Sequence, residues 1–102
     1  MEIKGTLKDG IIHVTLTGRL DMAGAMKAEQ AFLKYVQSGN RFVLHFSGVE
    51  FISSAGIRAL LTLYRSVSES GGTVTILEPR DQVLEVLEET DFADLFLIET
   101  EA

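Results

Sequence analysis

Two adjacent hydroxyls, Ser53 and Ser54, stand between an apolar run that ends in Phe51-Ile52 and a helical pattern that begins Ala55-Gly56-Ile57. At such a junction a serine oxygen can accept a hydrogen bond from the unpaired amides of the first helical turn. That reading makes Ser53 the N-cap and places Ser54 at the first helical position with its hydroxyl pointing outward. Gly56 costs roughly 1 kcal/mol against alanine inside a helix, so bulk is unwelcome there, as when another surface approaches closely. A capped strand-to-helix corner with no chemistry fits the same residues.

A nucleophilic serine needs a positioned base. The chain has two histidines, His13 and His45, and neither is near Ser54 in sequence, which leaves spatial adjacency open. His13 reads as a surface or sheet-face residue of an alternating strand, and His45 as a satisfied or partly exposed strand residue. There is no G-x-x-x-x-G-K-S/T or G-x-G-x-x-G loop and no histidine and carboxylate set at ligand spacing. No cysteine is present, which removes disulfides, thiolate nucleophiles and zinc-thiolate sites. No cofactor and no metal are expected.

The corner has to be held by its neighbours in the chain. Phe42 to Phe46 is a nearly unbroken apolar run, which predicts a central strand covered by helices on both faces, followed by a short turn into Phe51. Ile57, Leu60, Leu61, Tyr64 and Val67 then recur at helical spacing, with Arg58, Thr62, Arg65 and Glu69 on the other side. Upstream, Ile3 to Leu7 and Ile12 to Leu16 alternate around Asp9-Gly10, a pair that tight hairpin turns prefer. Asp21 is placed to cap a first helix carrying Ala25, Ala28, Phe32, Tyr35 and Val36, closed by Gly39.

Downstream, Gly71-Gly72 ends the second helix and Thr73 to Leu77 is a buried strand. Asp81 can cap a third helix carrying Val83, Leu84, Val86 and Leu87, and Glu88 to Asp91 is a solvated acidic run. Phe92, Leu95 and Phe96 are expected to pack this end down before a short last strand, Leu97 to Glu99. The result is an α/β domain over 1–102, with a mixed sheet of about four to five strands opened by a hairpin, and three to four helices.

With 102 residues, 46% apolar and 24% charged, the composition is that of one ordinary globule. The formal net charge is −6, with no cluster of arginine or lysine, so nucleic acid is not an expected partner. No apolar stretch approaches the ~20 residues that span a bilayer, and Met1-Glu2-Ile3-Lys4 does not open a signal peptide, so a cytoplasmic location is expected.

In order and spacing, Gly18-Arg19-Leu20-Asp21, Phe51-Ile52-Ser53-Ser54-Ala55-Gly56-Ile57, Gly71-Gly72 and Asp91-Phe92 with Leu95-Phe96 resemble the STAS domains. Among these the chain resembles the bacterial anti-sigma factor antagonists. The resemblance implies a phosphorylation-switched binding module, not an enzyme. In that family an anti-sigma factor with a histidine-kinase-like ATPase fold binds the unphosphorylated antagonist, frees its sigma factor and phosphorylates a serine. A metal-dependent serine phosphatase reverses the modification. Ser54 matches the family's phosphorylated position, with Ser53 the second candidate, and Asp21 matches an acidic residue near that serine. Asp21, Ser53, Ser54, Gly56 and Arg58 are the expected partner-binding residues, and Met22 is a further contact or a helix-entry residue. The rival reading is a STAS scaffold or subunit of a signalling or transport assembly whose serine only caps.

Two positions depart from the family pattern. An acidic residue is common where this chain has Ser53, and an aspartate or asparagine where it has His45. Serine and aspartate both cap well, so the first change keeps the cap, removes a charge and adds a second hydroxyl.

Overall fold

The computed structural model describes residues 1–90 and 93–100. The chain runs β1 (Glu2–Lys8), β2 (Ile11–Leu20), α1 (Met22–Tyr35), β3 (Arg41–Ile52), α2 (Ser54–Glu69), β4 (Thr73–Leu77), α3 (Asp81–Glu89), a 3-10 turn (Ala93–Leu95) and β5 (Leu97–Glu99). Neighbours in sequence are neighbours in the sheet, whose order is β1-β2-β3-β4-β5. Among the described residues β1 and β2 pair antiparallel and the other pairs are parallel. The hairpin forms because Asp9 and Gly10 both take left-handed backbone, φ 53° and 79°, and a turn with that twist matches the twist of the strands it joins.

Along the strands the buried side chains are Ile12, Val14, Leu16, Phe42, Leu44, Phe46, Val74 and Ile76. Their register puts them on one face: Ile12 is opposite Phe42, which is opposite Val74, and Val14, Leu44 and Ile76 line up in the same way. Ala28 and Phe32 of α1, Ile57, Leu60 and Leu63 of α2, and Val83 and Leu87 of α3 pack onto it as one core. Among the described residues no helix covers the other face, contrary to the expectation from the apolar run of β3, and Val43 and His45 there are only half-buried. An apolar run therefore meant one buried face plus a valine and a histidine on the open one.

The turn expected after Phe46 is also absent, and β3 continues to Ile52. From Thr15 to Leu20 strand β2 advances five residues while β3 advances seven, from His45 to Ile52, with two breaks in register. Two extra residues in β3 are bulges, and the buried positions shift from every second residue to Phe46, Val49 and Ile52. Ser47-Gly48 has the composition of a turn and forms the first of these irregularities.

Three smaller corrections concern the ends of helices. Helix α1 closes at Val36, ahead of Gly39. Helix α3 begins at Asp81 with Arg80 as its N-cap and no side-chain cap bond, so Asp81 lies one position too late to cap. Leu95 is exposed while Phe96 is buried, and Asp91 and Phe92 lie outside the described residues. As expected, α2 terminates against Gly71, whose φ is +77°. Among the described residues no helix is long and apolar enough to cross a membrane.

Candidate functional site

Leu20 and Ile52 are opposite one another at the ends of β2 and β3. One residue further on, Asp21 and Ser53 each cap a helix, so α1 and α2 start side by side at the same edge of the sheet. The two caps are built alike. Asp21 Oδ1 accepts from Gly24 N–H at 2.9 Å, and Ser53 Oγ accepts from Gly56 N–H at 3.2 Å. Each bond reaches a glycine three positions on.

Ser53 is held more firmly than a cap requires. Its N–H and its hydroxyl both donate to the Leu20 carbonyl, each at 3.0 Å, so the start of α2 is fixed to the end of β2. The hydroxyl hydrogen is committed to Leu20 and an oxygen lone pair to Gly56, on a half-buried residue. Ser54, the first residue of α2, is exposed, and among the described residues its hydroxyl makes no hydrogen bond.

Gly56, expected among the partner-binding residues, is buried. A Cβ there would lie 2.7 Å from the Leu20 carbonyl oxygen, 2.8 Å from Leu20 Cγ and 2.9 Å from Ile52 Cγ1. The close approach is internal, between α2 and the two strand ends. Gly24 plays the same part on α1, crowded against the Arg19 carbonyl oxygen. It was not singled out from the sequence, although Asp21-x-x-Gly24 repeats the spacing of Ser53-x-x-Gly56.

Around Ser54 the surface mixes charge and apolar area. The Arg19 guanidinium sits 4.3 Å from the centre of the Phe51 ring, which is partly exposed. Its Nε is 4.0 Å from Asp21 Oδ2, and both side chains are largely in water, so the ion pair contributes little. Met22 is 68% exposed and extends the patch onto α1 as a surface residue. Arg58 is exposed one turn along α2, and among the described residues no side-chain hydrogen bond or ion pair joins it to Asp21 or Ser54. The first turn of α2 carries no acidic side chain, so the partial positive charge of its free amides is not offset there.

The histidines do not join this corner. His13 and His45 meet each other on the open sheet face, Nδ1 to Nε2 at 3.0 Å, and no hydrogen bond links either to Ser54 among the described residues. The arrangement offers a rigid, neutral, exposed hydroxyl at a helix N-terminus. Among the described residues no base is hydrogen-bonded to that hydroxyl.

The STAS domain model matches residues 3–102. A Bordetella bronchiseptica protein named as an anti-sigma factor antagonist, BtrV, is 30% identical over 89 residues, which span 86% of this chain and 77% of the relative. A Thermotoga maritima protein described as an anti-sigma factor antagonist superposes with a TM-score of 0.89 at 23% identity, over 97% of this chain and 86% of its own. The Bacillus protein SpoIIAA superposes in its phosphorylated form with a TM-score of 0.75 at 16% identity, over 98% and 93% of the two chains. Its unphosphorylated form gives 0.76 at 14% identity, over 99% and 89%.

Proposed function

We propose that this chain, which belongs to the STAS domain family, is an anti-sigma factor antagonist switched by phosphorylation of Ser54. In this reading it is a binding module, not an enzyme, and it acts in the cytoplasm. With Ser54 unmodified it binds an anti-sigma factor and so frees a sigma factor. The same anti-sigma factor, with a histidine-kinase-like ATPase fold, transfers a phosphoryl group from ATP to Ser54 Oγ. A metal-dependent serine phosphatase restores the hydroxyl.

One observation carries the choice of residue. Ser54 is exposed and its hydroxyl makes no hydrogen bond among the described residues, whereas the neighbouring Ser53 hydroxyl both donates and accepts. Phosphorylating Ser53 would remove the hydroxyl half of the tie to Leu20 and disturb the cap of α2, whereas phosphorylating Ser54 breaks no side-chain hydrogen bond among the described residues.

The fold also favours a switch that works without rearrangement. A phosphoserine carries about −1.5 to −2 charges at neutral pH. The free amides at the start of α2, with no acidic neighbour in that turn, tolerate this charge. A partner surface fitted to a neutral hydroxyl does not, since it must desolvate a dianion. A difference of about 2.8 kcal/mol already changes affinity roughly a hundredfold. Asp21, Met22 and Arg58 border the same edge and complete the docking surface, while Gly56 shapes it from beneath.

The test is a pull-down from the native cell with wild type, Ser54→Ala and Ser54→Asp as bait. An ATP-binding partner recovered with the first two and lost with the third supports the switch. Equal recovery by all three supports a scaffold whose serine only caps.

A further inference from the structure

The chain contains two histidines, and the fold brings them together across 32 positions of sequence. We propose that His13 and His45 form a two-imidazole binding site for a divalent first-row transition-metal ion on the open face of the sheet.

His13 lies opposite Val43 on the neighbouring strand, and His45 lies opposite Thr15, so the two histidines are diagonal neighbours on one face. His13 Nδ1 and His45 Nε2 stand 3.0 Å apart, with the rings inclined by 26° and their centres 5.3 Å apart. The centre spacing exceeds the nitrogen contact by about two ring radii, so the nitrogens point at one another and the rings are not stacked face to face. Two nitrogens bound to one ion at about 2.0–2.1 Å are roughly 2.9–3.4 Å apart for bond angles between right and tetrahedral. The observed contact falls in that range. For both lone pairs to converge on one ion, each half-buried ring has to turn by about 35–45° from the line that joins the two nitrogens.

The proton count balances without net release. In the metal-free pair one facing nitrogen carries a hydrogen and the other a lone pair; the metal needs a lone pair on both. The hydrogen moves through solvent to the far nitrogen of its own ring. Those far nitrogens, His13 Nε2 and His45 Nδ1, have no protein hydrogen-bond partner among the described residues.

Thr6, Lys8, Asp9 and Ile11 line the same open hollow. Asp9 attracts a cation and Lys8 opposes it, while the net charge of −6 favours cations overall. Among the described residues no set of three or more His, Cys, Asp or Glu side chains is placed around one ion, so water fills the remaining positions. Such a site takes Cu²⁺ most tightly and Ni²⁺ or Zn²⁺ less so. The bound ion ties β2 to β3 and stabilises the fold by mass action.

The experiment titrates Ni²⁺ and Zn²⁺ into tag-free protein with an acetylated N-terminus, which removes the terminal amine as a competing ligand. Calorimetry and the ring ¹⁵N resonances of both histidines report binding. The expected result is one saturable ion per chain, shifts at His13 Nδ1 and His45 Nε2 together, and a loss of about tenfold or more in affinity in His13→Gln and in His45→Gln. A melting temperature raised by the ion in wild type and not in either variant completes it. The proposal is overturned by absence of saturable binding, by shifts at one ring alone, or by affinity unchanged in either His13→Gln or His45→Gln. The wild-type resonances decide the matter even if a variant fails to fold.

Discussion

The main-chain carbonyl of Leu20 accepts two hydrogen bonds from Ser53, one from its N–H and one from its hydroxyl, each at 3.0 Å. A strand end and a helix start are joined through one residue. The Ser53 hydroxyl also receives the Gly56 N–H, so its one hydrogen and one of its two lone pairs are already engaged inside the fold. The neighbouring alcohol, Ser54, is mounted on that fixed point and faces water.

Ser53→Ala removes the cap bond and one of the two bonds to Leu20. The expected loss is about 1–2 kcal/mol, read as a lower urea midpoint with an unchanged slope. Ser53→Asp keeps an oxygen for Gly56 and loses the donor to Leu20, and should fall between the two. Wild-type stability in Ser53→Ala would show that the tie contributes nothing.

Gly56→Ala should destabilise although alanine is the better helix former by roughly 1 kcal/mol. The added methyl meets Leu20 and Ile52 at less than 3.0 Å, two of those atoms belonging to side chains packed in the core. Overpacking of this kind costs about 1–3 kcal/mol. Thermal unfolding measures the balance, and a more stable variant would contradict the packing described.

How much of this was legible in the sequence depended on whether the cause was local. Asp9-Gly10 announced its turn because left-handed backbone at two consecutive residues restricts the choice of side chain. Ser53 announced its cap because the acceptor and the amide it serves are three residues apart. The crowding at Gly56 was visible as a cost and not as a cause, since Leu20 reaches it from another strand. The bulges in β3 were hidden because they exist only relative to β2. The open sheet face was hidden for a similar reason: Val43 is apolar, and only the arrangement of the helices leaves it half-covered. The histidine pair depends on a diagonal register between two strands, which neither strand encodes alone.

Asp21 has two roles that can be separated. Asp21→Asn retains an oxygen for Gly24 N–H and should change stability by less than about 0.5 kcal/mol, whereas Asp21→Ala should lose about 1 kcal/mol. If the carboxylate contacts the anti-sigma factor, Asp21→Asn weakens that binding at unchanged stability. Binding measured by calorimetry and melting measured in parallel distinguish a contact from a cap. Unaltered affinity in Asp21→Asn would confine Asp21 to capping.

The central claim is that Ser54 Oγ takes the phosphoryl group and Ser53 Oγ does not. Intact-mass measurement after incubation with ATP and the cognate kinase tests it directly, on wild type, Ser53→Ala and Ser54→Ala. The account predicts one added phosphate on wild type and on Ser53→Ala, and none on Ser54→Ala. Stoichiometric phosphate on Ser54→Ala, or its loss from folded Ser53→Ala alone, would contradict it.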